Sequence, residues 1–131
     1  KEDNRREVKS AKNGLPNSIW ETYSAFSNGY GGVIILGVIE NKDGTWSTSG
    51  LDADSCQKLI KQFWNDINNR QKVSINLLRD DVEVYKKEDD QIIVIHVPMA
   101  RREEKPVYIN NNLFYGTYRR NHDGDYHCTR L

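Results

Sequence analysis

Basic side chains that could hold phosphate gather in three parts of the chain. One group lies in a loop after Pro98, a second follows an aromatic segment near the carboxyl end, and a third lies near the amino end. The planar guanidinium group of arginine can donate two N–H bonds to neighbouring phosphate oxygens. This pattern predicts a local surface that binds nucleic acid. Its candidate residues are Lys9, Arg101, Arg102, Lys105, Arg119 and Arg120.

Aromatic residues lie between the first and second of these basic segments. They are Tyr108, Phe114, Tyr115 and Tyr118. Exposed rings offer stacking faces for unpaired bases. Aromatic side chains in strands more commonly fill the core by alternation, and we expect that for these residues. Residues 107–109 and 113–115, which contain three of these aromatics, are predicted to form two strands that flank a turn at residues 110–112.

Other groups of reactive residues predict little chemistry. The glycines of residues 29–32 lack GxGxxG order and run from a helix into a strand, the reverse of a dinucleotide loop. The segment 122–127 contains two histidines and two aspartates, but their spacing matches no standard metal site. His96 lies in an apolar run and is expected in the core or at a sheet edge. Cys56 and Cys128 belong to no CxxC motif.

Length and composition bound the class of protein. The chain has 131 residues, the size of one domain, and we expect residues 1–131 to form it. Nineteen basic residues balance nineteen acidic ones, which excludes a protein that coats nucleic acid by bulk charge. No apolar run could span a bilayer and no signal peptide is visible, so we expect a cytoplasmic protein without a membrane partner. Because no Met begins the chain, we expect a piece of a longer protein.

Hydrophobic periodicity predicts an α+β domain, with two main helices packed on a mixed, mainly antiparallel sheet. The first helix is expected to begin at Pro16 and end at Asn28-Gly29. The second is expected to begin at an Asp54 N-cap. Residues 33–38 have no polar alternation and predict one central strand that is buried on both faces. A hairpin turn is predicted at Asp43-Gly44, and the further predicted strands are residues 73–78, 82–85 and 92–97.

An ordered series of short motifs resembles the Schlafen-type AlbA domain. The motifs are Glu7-Val8-Lys9, Leu15-Pro16, Ile19-Trp20-Glu21-Thr22, Ser24-Ala25-Phe26, Asn28, Gly31-Gly32, Leu36-Gly37-Val38, Val97-Pro98, Pro106-Val107-Tyr108 and Tyr118-Arg119-Arg120-Asn121. The resemblance implies a DNA-binding module at the amino end of a bacterial transcriptional regulator or RecG-related ATP-dependent helicase. The implied partners are nucleic acid, with DNA preferred over RNA, and other domains of a longer chain. The chain has no GxxxxGK[ST] loop for ATP.

The same resemblance implies an alternative activity. In eukaryotic Schlafen relatives, two glutamates and a later aspartate form a metal-dependent RNA-cleaving centre. Glu2 and Glu7 match the pair, and Glu40 stands near the third position as glutamate rather than aspartate. Such carboxylates would bind Mg²⁺ or Mn²⁺, which could activate water. Solvent-exposed carboxylates with no metal explain the same residues equally simply.

Three functional hypotheses follow from the sequence. The first is a nucleic-acid-binding domain that needs no cofactor and has no catalytic activity of its own. The second is a metal-dependent nuclease that uses Glu2, Glu7 and Glu40. The third is a protein-interaction module or homo-oligomer, in which an exposed strand edge pairs with a partner.

Overall fold

The computed structural model describes residues 5–121 and 124–128. Within these residues the chain forms two α-helices, a short 3₁₀ turn and eight strands. In chain order they are β1 (Arg6–Lys9), α1 (Ile19–Asn28), β2 (Gly32–Leu36), β3 (Val38–Glu40), β4 (Trp46–Thr48), α2 (Ala53–Ile67), β5 (Val82–Lys87), β6 (Asp90–Val97), the 3₁₀ turn Arg102–Glu104, β7 (Tyr118–Asn121) and β8 (Gly124–His127). No helix in this part of the chain is both long and apolar enough to cross a membrane.

A four-stranded sheet in the order β1-β2-β6-β5 forms the centre of the fold. β1 runs parallel to β2, and the β2–β6 and β6–β5 pairs are antiparallel. Two further antiparallel pairs, β3–β4 and β7–β8, form separate two-stranded sheets. The predicted α+β class with a mixed, mainly antiparallel sheet is therefore confirmed.

One face of the central sheet packs on the helices. Ile34 and Leu36 on β2 lie opposite Ile95 and Ile93 on β6, and all four side chains are buried in the core that α1 and α2 share. The two helices meet through a stacked Trp20–Phe63 pair, whose ring centroids are 5.2 Å apart. Val33 and Ile35 point to the other face and are only partly buried. The prediction that this strand is buried on both faces was therefore wrong.

Gly37 divides the predicted strand of residues 33–38 between two sheets. Its φ of +93° turns the chain, so β2 ends at Leu36 and β3 begins at Val38. A Cβ atom on Gly37 would lie 2.7 Å from the carbonyl oxygen of Gln91, so the backbone approach also needs glycine. The prediction of a single strand was wrong because this one residue cannot continue it. The hairpin at residues 43–44 is confirmed, since β3 pairs with β4 around it.

The helix starts differ from the predictions by two or three residues. α1 begins at Ile19, and Pro16 lies in the turn before it, where its carbonyl oxygen accepts the Ile19 N–H. α2 is capped by Asp52 rather than Asp54, since the Asp52 carboxylate accepts the backbone N–H of Ser55 at 2.7 Å. The hydrophobic periodicity that predicts this helix is confirmed by its buried side chains, among them Leu59, Phe63 and Ile67.

The segment of residues 73–78 was predicted as a strand and is irregular. Tyr23 of α1 holds this segment, because its hydroxyl donates to the Ile75 carbonyl and accepts the Leu77 N–H, both at 2.9 Å. Burial raises the pKa of Tyr23, so the hydroxyl keeps its proton for the first of these bonds. The hydroxyl of a buried tyrosine thus makes the hydrogen bonds to this backbone that a neighbouring strand would otherwise make.

Replacement of Gly37 by alanine is expected to lower the free energy of unfolding by about 3 kcal/mol or more, because it combines a left-handed φ with a steric clash. Gly44→Ala is the matched control. Its φ is +86°, but nothing lies within 4 Å of the added Cβ. We expect Gly44→Ala to cost only about 1–2 kcal/mol. Urea unfolding of both variants measures the difference, and equal losses would contradict the role of close packing at Gly37.

Candidate nucleic-acid interface

Two polar side chains on α1 hold the segment around Val107 against β7. The Asn28 amide donates to the carbonyl oxygens of Val107 and Tyr118, at 2.9 and 3.1 Å, and its oxygen accepts the Val107 N–H at 2.7 Å. The Ser24 hydroxyl donates to the Val107 oxygen at 2.7 Å and accepts the Tyr118 N–H at 3.0 Å. Two distant parts of the chain therefore lie side by side on one helix.

These two segments run antiparallel and bring basic residues together. Tyr108 pairs with Thr117, and the Ile109 N–H donates to the Gly116 carbonyl at 2.9 Å. Continuing the same register places Pro106 opposite Arg119 and Lys105 opposite Arg120, one position further along. The side chains of Lys105 and Arg119 are exposed. Within residues 5–121 and 124–128, neither of these two cations makes an ion pair.

The aromatic loop, which we define as residues 110–116, joins the two segments. Asn112 closes it: its carbonyl oxygen accepts the Gly116 N–H at 2.7 Å, and its side chain accepts the Tyr115 N–H at 3.0 Å. The loop is thus a built structure with its own hydrogen bonds, in place of the strand that the sequence predicted for residues 113–115.

Large aromatic rings project from this loop into solvent. Phe114 is 69% exposed and Tyr115 is 75% exposed. The prediction that the aromatics fill the core was wrong for these two residues and is confirmed for Tyr118, which is buried against α1. The physical reason is that residues 112–115 form a turn, so no strand alternation directs their side chains inward.

The β7–β8 hairpin adds another exposed ring. Arg119 of β7 lies opposite Tyr126 of β8, and both point away from α1. The sequence analysis did not identify Tyr126, which is 55% exposed. Strand alternation is the pattern that could have identified Tyr126. Because Tyr118 and Arg120 face inward, Arg119 and its cross-strand neighbour face outward.

Arg120 lies in the interior in a charged cluster. Its side chain is 5% exposed and donates to Asp125 at 2.9 Å and to Glu7 at 3.0 Å. The guanidinium carbon stands 4.9 Å from the centre of the Phe26 ring. Burial opposes the charge of Arg120, but hydrogen bonds and charges from Asp125 and Glu7 outweigh it and raise the pKa of Arg120. This position does not present Arg120 to a ligand.

Two other predicted cations are also engaged. Lys9 is largely buried, and its ammonium group donates to Ser18 Oγ at 3.0 Å and lies 3.5 Å from Glu7. Arg101 is exposed, but its guanidinium lies 3.2 Å from Glu104 and 3.4 Å from Glu103. Among the predicted basic residues, the described part of the chain therefore leaves Arg102, Lys105 and Arg119 without an acidic partner.

The predicted carboxylates Glu7 and Glu40 have different local partners. Glu7 on β1 is occupied by Arg120 and Lys9. Glu40 ends β3, is exposed and accepts the Trp46 indole N–H at 3.2 Å. Glu2 lies outside the described residues. Within those residues no three His, Cys, Asp or Glu side chains come together to hold a metal ion. The metal centre that combines Glu2, Glu7 and Glu40 stays a prediction.

The histidines make local contacts. His127 Nε2 lies 3.0 Å from the Tyr118 hydroxyl, with the two ring centroids 4.3 Å apart. His122 and the neighbouring aspartate at position 123 lie outside the described residues. His96 was expected in the core or at an edge, and the structure places it on an inner strand with an exposed side chain 2.7 Å from Glu83. This hydrogen bond lowers the pKa of Glu83.

Comparison with known proteins agrees with the fold and the motifs. The family model described as Schlafen, AlbA_2 matches residues 2–129, so the chain belongs to this family. The solution NMR structure of the N-terminal domain of a RecG-related ATP-dependent DNA helicase-type protein from Nitrosomonas europaea is similar, with 26% identity and a TM-score of 0.61. The match covers 95% of this chain and 81% of that chain.

A second solved structure is more distant. The DIP2311 protein from Corynebacterium diphtheriae has 18% identity and a TM-score of 0.53, and the match covers 95% of this chain. The chain spans about a fifth of that protein, since 21% of its length is covered. At this identity the likeness shows the fold alone. No curated protein sequence matches the chain significantly.

Arg120→Ala is expected to lower the free energy of unfolding by about 3–5 kcal/mol, because it removes the cation that the largely buried carboxylates Glu7 and Asp125 share. Arg119→Ala, in the same strand and one residue away, is the matched control and should change stability by less than about 0.5 kcal/mol. Urea denaturation followed by tryptophan fluorescence measures both. Equal stability of the two variants would show that the buried cluster does not hold the fold together.

Proposed function

We propose that this chain is a DNA-binding domain that binds single strands through one surface, the candidate interface. That surface combines the aromatic loop with the outer face of the β7–β8 hairpin and the segment beside it. Its contacting residues are Lys105, Phe114, Tyr115, Arg119 and Tyr126. The observation that carries the proposal is the pair of exposed rings, Phe114 and Tyr115, on a loop that leads within a few residues to an exposed, unneutralised arginine.

The cations of the candidate interface suit a phosphate backbone. Lys105 and Arg119 are exposed, lie on two segments that run side by side, and have no acidic partner within the described residues. Other candidates, such as Arg101 and Arg120, already pair with carboxylates. Few cations are thus available within the candidate interface, and charge alone would give weak binding there with a modest dependence on salt.

The aromatic rings supply the remaining free energy and favour single strands. Stacking of an unpaired base on an aromatic side chain is worth about 1–3 kcal/mol per base. In a duplex the faces of the bases are already stacked on each other, so rings on a loop have no such surface to contact. Arg119 follows Tyr115 by four positions, so their Cα atoms are at most about 14 Å apart. A strand of a few nucleotides could therefore contact both.

Membership of the family and the likeness to a RecG-related domain support nucleic acid as the ligand. The name of the Nitrosomonas europaea protein refers to a DNA helicase, and helicases act on strands that they separate. This favours single-stranded DNA over RNA as the first ligand to test. The family membership is independent of the surface geometry, so two separate observations favour the same class of ligand.

Fluorescence anisotropy with labelled single-stranded DNA tests the proposal, with duplex DNA and single-stranded RNA of the same sequence as comparisons. We expect the single strand to bind more tightly than the duplex, with affinity that falls as salt rises. The titration is repeated with Mn²⁺, and the strands are inspected on a denaturing gel. Metal-dependent cleavage would instead favour the nuclease hypothesis. Equal affinity for the duplex would contradict a stacking surface.

Side-chain substitutions separate stacking from charge. Phe114→Ala and Tyr115→Ala should each lower affinity by about 5- to 150-fold at every salt concentration, as expected for one lost stacked base. Arg119→Ala and Lys105→Ala should each reduce the slope of log affinity against log salt by about 0.7. Lys61→Ala, which removes an exposed cation from α2, is the control and should change neither quantity. A loss for Lys61→Ala as large as that for Arg119→Ala would overturn the assigned surface.

A further inference from the structure

β5 forms an open edge of the central sheet. It is six residues long, stands last in the order β1-β2-β6-β5, and pairs with β6 alone among the strands in the described part of the chain. Val84 and Tyr85, in its middle, are 44% and 52% exposed. An uncovered strand of this length is a template on which another strand can pair.

The register shows which backbone groups face outward. The His96 N–H donates to the Asp81 carbonyl at 2.8 Å, so Asp81 and the alternate residues after it make their hydrogen bonds with β6. By the same alternation, the N–H and C=O groups of Val82, Val84 and Lys86 point away from β6. A strand added at this edge would bond to these residues.

We propose that β5 pairs antiparallel with β5 of a second copy of this chain, about a two-fold axis at Tyr85. In this register Tyr85 faces its own copy, and each Glu83 faces Lys87 of the other copy. All three side chains lie on the same face of the sheet, since residues of β5 alternate between faces. The tyrosines form a pair without direct backbone hydrogen bonds, the arrangement in which cross-strand side chains come closest.

Charge complementarity favours a second copy as the partner. Lysines on an edge strand normally discourage pairing. Here the strand also carries Glu83. The two-fold register places a Glu83 opposite Lys87 on each side of the axis, so the Lys87 of each copy is neutralised. Cross-strand pairs of opposite charge and aromatic pairs each contribute about 0.2–1 kcal/mol. The hydrogen bond from His96 lowers the pKa of Glu83, which keeps its carboxylate ionised for this contact.

Pairing through β5 leaves the candidate interface uncovered. β1 and β5 are opposite edges of the sheet, and the β7–β8 hairpin lies on the β1 side, where the Arg120 guanidinium reaches the Arg6 carbonyl at 3.1 Å. The proposed dimer therefore does not rest on the proposed DNA binding, and either can be tested without the other. The contact involves one strand from each chain and buries far less area than a standard interface. The dimer is therefore expected to be weak, with a Kd above about 1 µM.

Sedimentation equilibrium over a range of chain concentrations tests the dimer. We expect the average mass to rise from 15.2 kDa towards twice that value as concentration increases. Glu83→Lys and Lys87→Glu should each lower the dimer fraction at a given concentration at least fivefold, because like charges then face each other. The double variant that carries both substitutions should recover the dimer, since the exchange restores two opposite-charge pairs. Lys61→Glu on α2 is the control and should not change the dimer fraction.

A backbone variant and hydrogen exchange identify the edge directly. Val84→Pro removes an N–H that points away from β6, so it should abolish the dimer while the monomer stays folded. In the unaltered chain, exchange at the Val84 and Lys86 amides should slow as concentration rises. A chain that stays monomeric up to about 1 mM, or a dimer that the double charge exchange fails to restore, would overturn the proposal.

Discussion

The buried contact between Arg120 and two carboxylates joins parts of the chain that are far apart in sequence. Glu7 comes from β1, Asp125 comes from β8, and the Phe26 ring beneath the guanidinium comes from α1. The Thr22 hydroxyl of α1 donates to the other oxygen of Asp125 at 2.6 Å. A buried ion pair is a weak source of net stability, but a misplaced partner is costly because it leaves a charge without water. The cluster therefore acts mainly by excluding other positions of the β7–β8 hairpin.

The fixed position of the hairpin determines which residues can meet a ligand. With Arg120 directed inward, strand alternation turns Arg119 outward, and the Ser24 and Asn28 contacts hold the segment that contains Lys105 alongside β7. A shift of one residue in β7 would exchange the two arginines, so that Arg120 would be exposed and Arg119 would have to meet Glu7 and Asp125. The ion cluster and the candidate interface are thus two faces of the same strand, and the first sets the geometry of the second.

The sequence alone was sufficient to predict the helices and the fold class, but it was insufficient to predict the candidate interface. The apolar stripes of α1 and α2 repeat every three or four residues over several turns. Such a pattern identifies a helix even when its first or last residues are predicted wrongly. Gly37 could not be identified as a break, because the close approach of Leu51 and Gln91 that leaves no room for a side chain there exists only in the folded chain. The irregular segment around Ile75 depends in the same way on one distant hydroxyl, that of Tyr23.

The candidate site was predicted in part, for a related reason. Sequence identifies Arg119 and Arg120 as equal candidates, and only the three-dimensional position of Glu7 and Asp125 distinguishes them. Phe114 and Tyr115 look like strand residues until the loop closes on Asn112 and directs their rings outward. The family motifs matched the whole chain, yet a motif that contains both a structural and a contacting arginine cannot say which is which. Burial and pairing supply that distinction.

The charge balance of the chain is consistent with a binding mode that depends on stacking. Equal numbers of acidic and basic residues allow many of the cations to be used inside the fold or in surface pairs, as Lys9, Arg101 and Arg120 are. A protein that binds a duplex through its phosphates needs several free cations along a groove. A protein that binds a short single strand can obtain most of its affinity from two or three rings and needs charge only to orient the strand. With exposed rings on one loop and few free cations beside it, the candidate interface suits the second mode better than the first, in agreement with the proposed function.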